Sequence, residues 1–591
     1  METIPQYKDT ISLIPFGLPQ FLDFEVPMNK IKKISKIFKE ELDEKGEIVN
    51  NESIVKNVRL IQVETNEDGE YVVSGTDIAV DESSCYTIDS NKNLDVWLDK
   101  WIPIPFFRHT DITHEDGTPV FQFGPKNWVR AYLSQCYNDD NPDVPNWRLV
   151  LCFDMKVASS EEQEQHFCLS STDVTESAIC SLAYNKRDNN SFLMESWVSE
   201  WLKAVWNDYN KQNVKKSRAR SDDDDDEEGS VHVRYLEHLS SYLVYLELLH
   251  KIIGKHNVRI AKVDVSGDEA NFINVDLVLD IGNSRSTGIL VQHLPGEENS
   301  ESTFDNSYRL QLRDMSKPYM FYSEPFETRV EFSKTEFGLS EYSDRSGREN
   351  AFAWASPVRT GPEASRLAGM SVNAEGMSGM SSPKRYLWDL DEKDLWFFNK
   401  NQTNDVEELV SSLGLCRYVN NTGLPLSKIK EIKKFFEPVP EGEKRPKLSH
   451  IARAIKNFFE KEELSQQSTR FAMQPRFARS TMMMFLFMEL IQQALITINE
   501  PAVREQRGYP DRPRRLNNLI FTVPPGMPIV EKSIYSTWGA LAVELMWNVL
   551  GWSEFYYDFG EKLKAKEKRP PLKDFRVNPA VQCQWDEATC S

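Results

Sequence analysis

Seven consecutive acidic side chains, Asp222 to Glu228, interrupt the chain within the segment KKSRARSDDDDDEEG (215–229). A run of like charges cannot be buried in any core, so no compact domain can be built through it. The chain must therefore fold as at least two parts, and its charge divides at the same place. Residues 1–210 carry −17, residues 211–230 carry −2 and residues 231–591 carry −2 of the total of −21. A strongly acidic first part and a nearly neutral second part point to different jobs. The expected organisation is an acidic α+β domain over 1–210, a disordered charged linker over 211–230, and a third region over 231–591.

Hydrophobic residues at 40% and charged residues at 27% leave ample material for a core on either side of the run. The negative balance argues against a general nucleic-acid binder or a basic membrane-surface protein. The eight cysteines are scattered, with no CxxC or Cys/His cluster, which fits neither a zinc site nor a disulfide framework. Reduced cytosolic thiols are expected. The opening METIPQYKDTISLIPFG has no basic n-region and is broken by Pro5, Lys8 and Asp9, so no signal peptide and a cytoplasmic location are expected. The most apolar stretch, TMMMFLFMELIQQALITI (481–498), is interrupted by Glu489, Gln492 and Gln493. Those three side chains argue for a buried amphipathic helix and against a membrane span.

In the first part, VWLDKWIPIPFFR (96–108) and WRLVLCFDM (147–155) suggest strands. MESWVSEWLKAVW (194–206) has helical spacing, with Trp197, Trp201 and Val205 on one face and Trp206 turned away. No catalytic constellation stands out here. Beyond the acidic run, YLEHLSSYLVYLELLHKIIG (235–254) reads as a helix stopped by Gly254 and leading into the third region.

The chemistry concentrates in NVDLVLDIGNSRSTGILV (274–291). An apolar, β-branched run ends at Asp280, a polar turn follows, and a second apolar run returns from Gly288: the pattern of a β-hairpin. A turn rich in Gly, Asn and Ser lets backbone N–H groups converge on one concavity, which suits phosphate oxygens. Asp280, at the end of the first strand, is placed to hold a magnesium ion, directly or through water.

This block resembles the first phosphate motif of the actin-like ATPase superfamily, which includes actin, sugar and pantothenate kinases and the heat-shock chaperone ATPases. Other blocks follow in the chaperones' order. EPFETRVEF (324–332) is similar to the strand after the first hairpin, and FAWASPVRTGPEASRLAG (352–369) to the "gdaAk" segment. SSPKRYLWD (381–389) is similar to the "AKRLIG" block, which places Lys384 at the lysine that contacts the γ-phosphate. LNNLIFTVPPGMPIVEKSIYSTWGALAVELMWNVLGW (516–552) resembles the strand "avITVPa" with its loop and following helix. QWDEATC (584–590) resembles the "INEPTAA" connecting motif, so that Glu587, with Asp586 and Thr589 beside it, corresponds to the glutamate near magnesium and the attacking water. The blocks SSPKRYLWD and QWDEATC behind a long acidic N-terminal region also resemble the virulence factor SrfB family of Gram-negative bacteria. That resemblance implies a bacterial cytosolic protein acting with the protein products of neighbouring genes, and does not itself specify an activity.

The expected fold class is thus α/β: an actin-like ATPase (ribonuclease H-like) first lobe over 231–591, preceded by the acidic α+β domain. The implied cofactors are ATP and magnesium. Asp280, Lys384 and Glu587 would act on the phosphates, with Asp280 and Glu587 near the metal. Gly282, Asn283, Ser284, Arg285, Ser286 and Thr287 would form the phosphate turn. Two departures stand out: Asn283 replaces the chaperones' Thr, and Arg285 sits in the turn, where it could add a phosphate contact or occlude the site. The insert KKFFEPVPEGEKRPKLSHIARAIKNFFEKEEL (433–464) reads as a helical surface feature. No D-x-G-G-G-T hairpin, adenosine-contacting Gly-Gly pair or GxxxxGK[ST] loop occurs, so a first lobe without its second is expected. A nucleotide-switch ATPase, a non-catalytic interaction scaffold and a small-molecule kinase all remain open on fold resemblance alone.

Overall fold

The computed structural model describes residues 5–41, 59–115, 117–122, 124–138, 141–158, 167–218, 235–263, 272–296, 305–348, 351–370, 378–398, 408–458, 467–552 and 578–583. The chain is mixed α/β and divides into two compact units. The first comprises Met1–Lys262 with Glu336–Phe352, and the second Val263–Thr335 with Ala353–Ser591.

In the first unit, alternating apolar residues build a five-stranded sheet in which Thr10–Leu13 lies beside Asn257–Ile260, followed by Ile179–Leu182, Phe106–Thr113 and Pro119–Gln122. A second sheet orders Gln20–Pro27, Asn141–Phe153, Val129–Asn138 and Trp101–Pro103, and a third, smaller sheet is formed between residues 35 and 89. The strands expected within 96–108 and 147–155 are present. Helix Ser196–Arg218 buries Trp197, Trp201 and Val205 as its spacing requires. Trp206 is only half turned away: it packs against the core, with its ring 6.4 Å from that of Trp97.

Two boundaries differ from expectation. Residues 211–218 continue the helix Ser196–Arg218, because Lys, Gln and Arg are good helix formers and basic residues suit a helix C-terminus. The acidic run itself lies outside the described residues. The helix Glu237–Ile253, expected to open the third region, belongs instead to the first unit. It is apolar on nearly every face and cannot stand beside solvent. Tyr242 donates to the Pro103 carbonyl at 2.6 Å and Trp97 Nε1 donates to Ser241 Oγ at 3.0 Å. The chain after it then pairs parallel to Thr10–Leu13.

The segment Glu336–Phe352 returns to the first unit and is held there by buried polar contacts. Arg348 and the Phe352 N–H both donate to Asp154 Oδ2, at 2.7 and 2.8 Å, and Asn127 Nδ2 donates to Ser343 and Ser346. The Arg130 guanidinium lies 4.4 Å from the Phe352 ring centre and 4.9 Å from that of Trp201, an aromatic enclosure for a buried cation.

The main sheet of the second unit has five strands on its path, labelled in chain order β1 (Ile273–Ile281), β2 (Arg285–His293), β3 (Ser307–Arg309), β4 (Arg514–Phe521) and β5 (Ala580–Gln582), with the short strand Phe326–Glu327 pairing with the start of β2 and two smaller sheets elsewhere in the unit. The spatial order is β3-β2-β1-β4-β5. The first three form an antiparallel meander, whereas β4 and β5 run parallel to β1. Helices α1 (Thr481–Asn499) and α2 (Ile529–Val549) pack together and against this sheet.

Every residue of α1 is buried, so it is a core helix rather than an amphipathic one. Its length and composition would pass for a membrane span, but it is wholly enclosed by protein. The polar residues that interrupt its apolar run are what fasten it. Gln492 Oε1 accepts from the N–H of Ala355 at 2.7 Å, and Gln493 accepts from the Arg313 N–H while donating to the Arg313 carbonyl, both at 3.1 Å. Glu489 pairs with Arg359 at 2.9 Å and accepts from Trp354 Nε1. Arg359 also pairs with Glu363, whose carboxylate accepts the N–H groups of Met315 and Ser316.

Removing one member of a buried ion pair leaves the other charge poorly compensated. Glu489→Ala should cost about 3 kcal/mol, at the lower end for such pairs because Glu363 still faces Arg359; urea unfolding of the full chain checks this. Burial, with Asp314 nearby, raises the Glu363 carboxyl from 4.5 to about 7 against the pull of Arg359. The folded form thus holds a proton that the unfolded chain releases. The stability this contributes is complete below about pH 4.5 and is lost as pH rises through about 7. The stability of the native chain relative to Glu363→Gln should therefore fall across that window. Parallel curves would contradict the assignment.

Candidate functional site

β1, β4 and β5 are parallel neighbours, so their C-terminal ends share one edge of the sheet, the usual place for ligands in such sheets. Asp280 is the exposed penultimate residue of β1, between buried Leu279 and Ile281. Thr522 follows β4. Its N–H donates to the Leu279 carbonyl at 3.0 Å, and its hydroxyl donates to Asp280 Oδ1 at 3.1 Å, fixing the carboxylate.

The hairpin between β1 and β2 is tighter than its sequence suggests. Asp280 stands opposite Thr287 and Ile281 opposite Ser286, so Arg285, Ser286 and Thr287 lie in β2 rather than in the turn. The Gly282 N–H donates to the Arg285 carbonyl at 3.0 Å, and a Cβ at Gly282 would lie 2.4 Å from that oxygen. Only glycine fits there. Ser286 is buried and hydrogen-bonded to Thr328 at 2.6 Å, while Thr287 is half-buried. Asn283, Ser284 and Arg285 are exposed. Among the described residues, the N–H groups of Asn283 and Ser284 have no hydrogen-bond partner.

Lys384 reaches the same edge from a short 3-10 turn, Pro383–Tyr386. Its ammonium donates to the Ile281 carbonyl at 2.7 Å and stands 5.4 Å from the ring centre of Tyr535 on α2. The turn is pinned to the start of α2 by Trp388 Nε1, which donates to Glu531 Oε1 at 3.3 Å. Lys384 thus reaches the residue that follows Asp280 at the end of β1. Glu587, with the rest of QWDEATC, lies outside the described residues apart from what precedes it: Cys583, immediately after β5. Burial pushes the Cys583 thiol up to about 11, opposed by the ammonium groups of Lys532 and Lys384.

Three contributors were not singled out from the sequence. Thr522 sits within the segment resembling "avITVPa", and its position one residue beyond an apolar strand was the available signal. Lys532 and Cys583 carry no motif and are recruited only by the parallel pairing of distant strands.

The edge offers one fixed carboxylate, one ammonium and two open N–H groups. Magnesium keeps several of its waters and takes one or two carboxylates together with phosphate oxygens, so this donor set fits a magnesium-phosphate complex. Gly282→Ala should open the turn and cost about 1–3 kcal/mol, the range for adding a methyl group where no space exists. Hydrogen exchange at residues 281–286, faster in the variant, checks it.

A family model described as virulence factor SrfB matches residues 1–591. No curated protein and no solved structure matches the chain.

Proposed function

We propose a function from one premise: the chain belongs to the virulence factor SrfB family. Family membership does not itself specify an activity; our reading beyond it is that the second unit is the first lobe of an actin-like nucleotide-switch ATPase, binding Mg-ATP at the edge formed by β1, β4 and β5. The observation that carries the reading is the arrival of Asp280 and Lys384, from distant parts of the chain, at one strand end beside a tight glycine turn. The strand order, an antiparallel meander followed by two strands parallel to the first, supports it as well.

In this reading the N–H groups of Asn283 and Ser284 receive phosphate oxygens, and the exposed Arg285 guanidinium adds a contact. Gly282 serves the turn, and Ser286 and Thr287 serve the strand. Asp280, steadied by Thr522, holds the metal through a carboxylate oxygen or its waters. Magnesium, when bound, neutralises charge on the phosphate oxygens. Lys384 places positive charge where the terminal phosphoryl group develops negative charge, and Glu587 orients water. Phosphoryl transfer needs such positioning and neutralisation rather than covalent help from the protein. Slow hydrolysis would then switch the unit between nucleotide states, in concert with partner proteins encoded nearby.

A phosphate-release assay on the full chain tests the reading. Hydrolysis above background should fall about a hundredfold in Lys384→Ala, the scale for losing one preorganised charge-stabilising group, and should vanish in Asp280→Ala. Calorimetry separates the alternatives. ATP binding without turnover would favour a sensor, and no binding at all would favour a scaffold.

A further inference from the structure

The block 324–332, expected as a single strand, is two. Phe326–Glu327 pairs with the start of β2, opposite Ser286 and Arg285. Arg329–Phe332 belongs to a separate sheet, between Val358–Thr360 and Gly379–Ser381. Thr328 stands between these two strands, where the chain crosses from one sheet to the other. It is buried, and its N–H, hydroxyl and carbonyl are each engaged. The N–H donates to the Ser284 carbonyl at 2.9 Å, and the hydroxyl shares a hydrogen bond with the buried Ser286 hydroxyl at 2.6 Å. Both partners belong to the hairpin that carries the glycine turn. The Thr328 carbonyl accepts the Ser382 N–H at 2.8 Å. Ser382 caps the 3-10 turn Pro383–Tyr386 and holds φ 53° and ψ 52°. That left-handed conformation is unfavourable for a residue with a side chain, and a following proline pushes the residue before it toward extended backbone. Such strain persists only where the surroundings over-determine it. Two backbone bonds do so here: Ser382 to Thr328, and the Arg385 N–H to the Ser382 carbonyl at 3.0 Å. Two residues beyond Ser382, the Lys384 ammonium reaches back to the Ile281 carbonyl at 2.7 Å. The hairpin and the lysine turn are thus tied once through Thr328 and once through Lys384 itself. An ammonium that turns to a ligand gives up or shares its own tie, whereas the tie through Thr328 does not depend on the ligand.

We infer that Thr328 is a positioning residue for the phosphate edge. It holds the 282–284 turn and the Pro383–Tyr386 turn in one geometry, so that a phosphate chain received by the first meets the Lys384 ammonium on the second. The inference rests on the Mg-ATP reading above and adds to it a buried residue that acts through its neighbours. Thr328→Val keeps both backbone hydrogen bonds and the side-chain shape but leaves the buried Ser286 hydroxyl without this partner, which is costly. The loosened hairpin then no longer presents its N–H groups in register with Lys384.

The test uses the full chain with Thr328→Val, Thr328→Ser, Lys384→Ala and the double variant Thr328→Val/Lys384→Ala, each checked for folding by circular dichroism. Titration calorimetry reads the affinity for Mg-ATP. Thr328→Val should weaken binding about tenfold, the scale for one lost buried hydrogen bond, and Thr328→Ser should keep most of the native affinity. The double variant decides between positioning and a merely structural role. Lys384→Ala should cost only a fraction as much affinity in the Thr328→Val chain as in the native one, because side chains that act as a unit are not additive. Without nucleotide, hydrogen exchange in Thr328→Val should quicken at 381–386 as well as at 281–286. Ser286→Ala removes the same hydrogen bond from its other end and, if Thr328→Val folds poorly, carries the test with the same expectations. Native affinity in Thr328→Val, costs that multiply independently in the double variant, or faster exchange in the hairpin alone would overturn the inference and leave the Mg-ATP reading standing. A native chain that binds no Mg-ATP would overturn both.

Discussion

The second unit depends on the parallel pairing of β1 with β4. Leu277 lies opposite Leu519 and Leu279 opposite Phe521, partners that the chain must bring together across a long intervening stretch. Closing so long a loop is entropically costly, and burial of the apolar face of the central strands is what offsets it. The pairing has a chemical consequence. It sets Thr522 against the end of β1, where the hydroxyl steadies Asp280. It also starts α2 close enough for Glu531 and Tyr535 to meet the segment that carries Lys384. The candidate site is therefore a product of sheet register more than of any contiguous motif.

The helix behind the sheet illustrates a second constraint. Nineteen residues of α1 are buried, and a purely apolar helix in that position could rotate or slide without much penalty. Glu489, Gln492 and Gln493 remove that freedom by meeting specific backbone groups and Arg359. Buried polar groups are costly to leave unpaired, and the bonds made by Glu489, Gln492 Oε1 and Gln493 tie α1 to the segments around Arg313 and Ala355, which lie far apart in sequence.

Much of this was legible in the residues. The hairpin 274–291, the aromatic helix around Trp197 and Trp201 and the buried character of 481–498 follow from apolar spacing, which is local information. The exact extent of the turn was less readable. Residues 282–287 look like one polar loop, but the inward alternation that buries Ser286 against Thr328 begins at Arg285, so half of the apparent loop is strand. The domain boundary was misplaced for a related reason. The acidic run marks where the chain cannot pack, yet the helix beyond it returns to the first unit, because its all-round apolar surface finds Trp97 and Pro103 there.

Hydrogen–deuterium exchange of the full chain with and without Mg-ATP tests the central claim most directly. The account predicts slower exchange confined to three segments: residues 279–288, the turn 381–389, and 520–533 from the end of β4 into α2. Protection at all three would mean that the strand ends, the Lys384 turn and the start of α2 close on one ligand. Unchanged exchange at those segments, or protection located elsewhere in the chain, would contradict it.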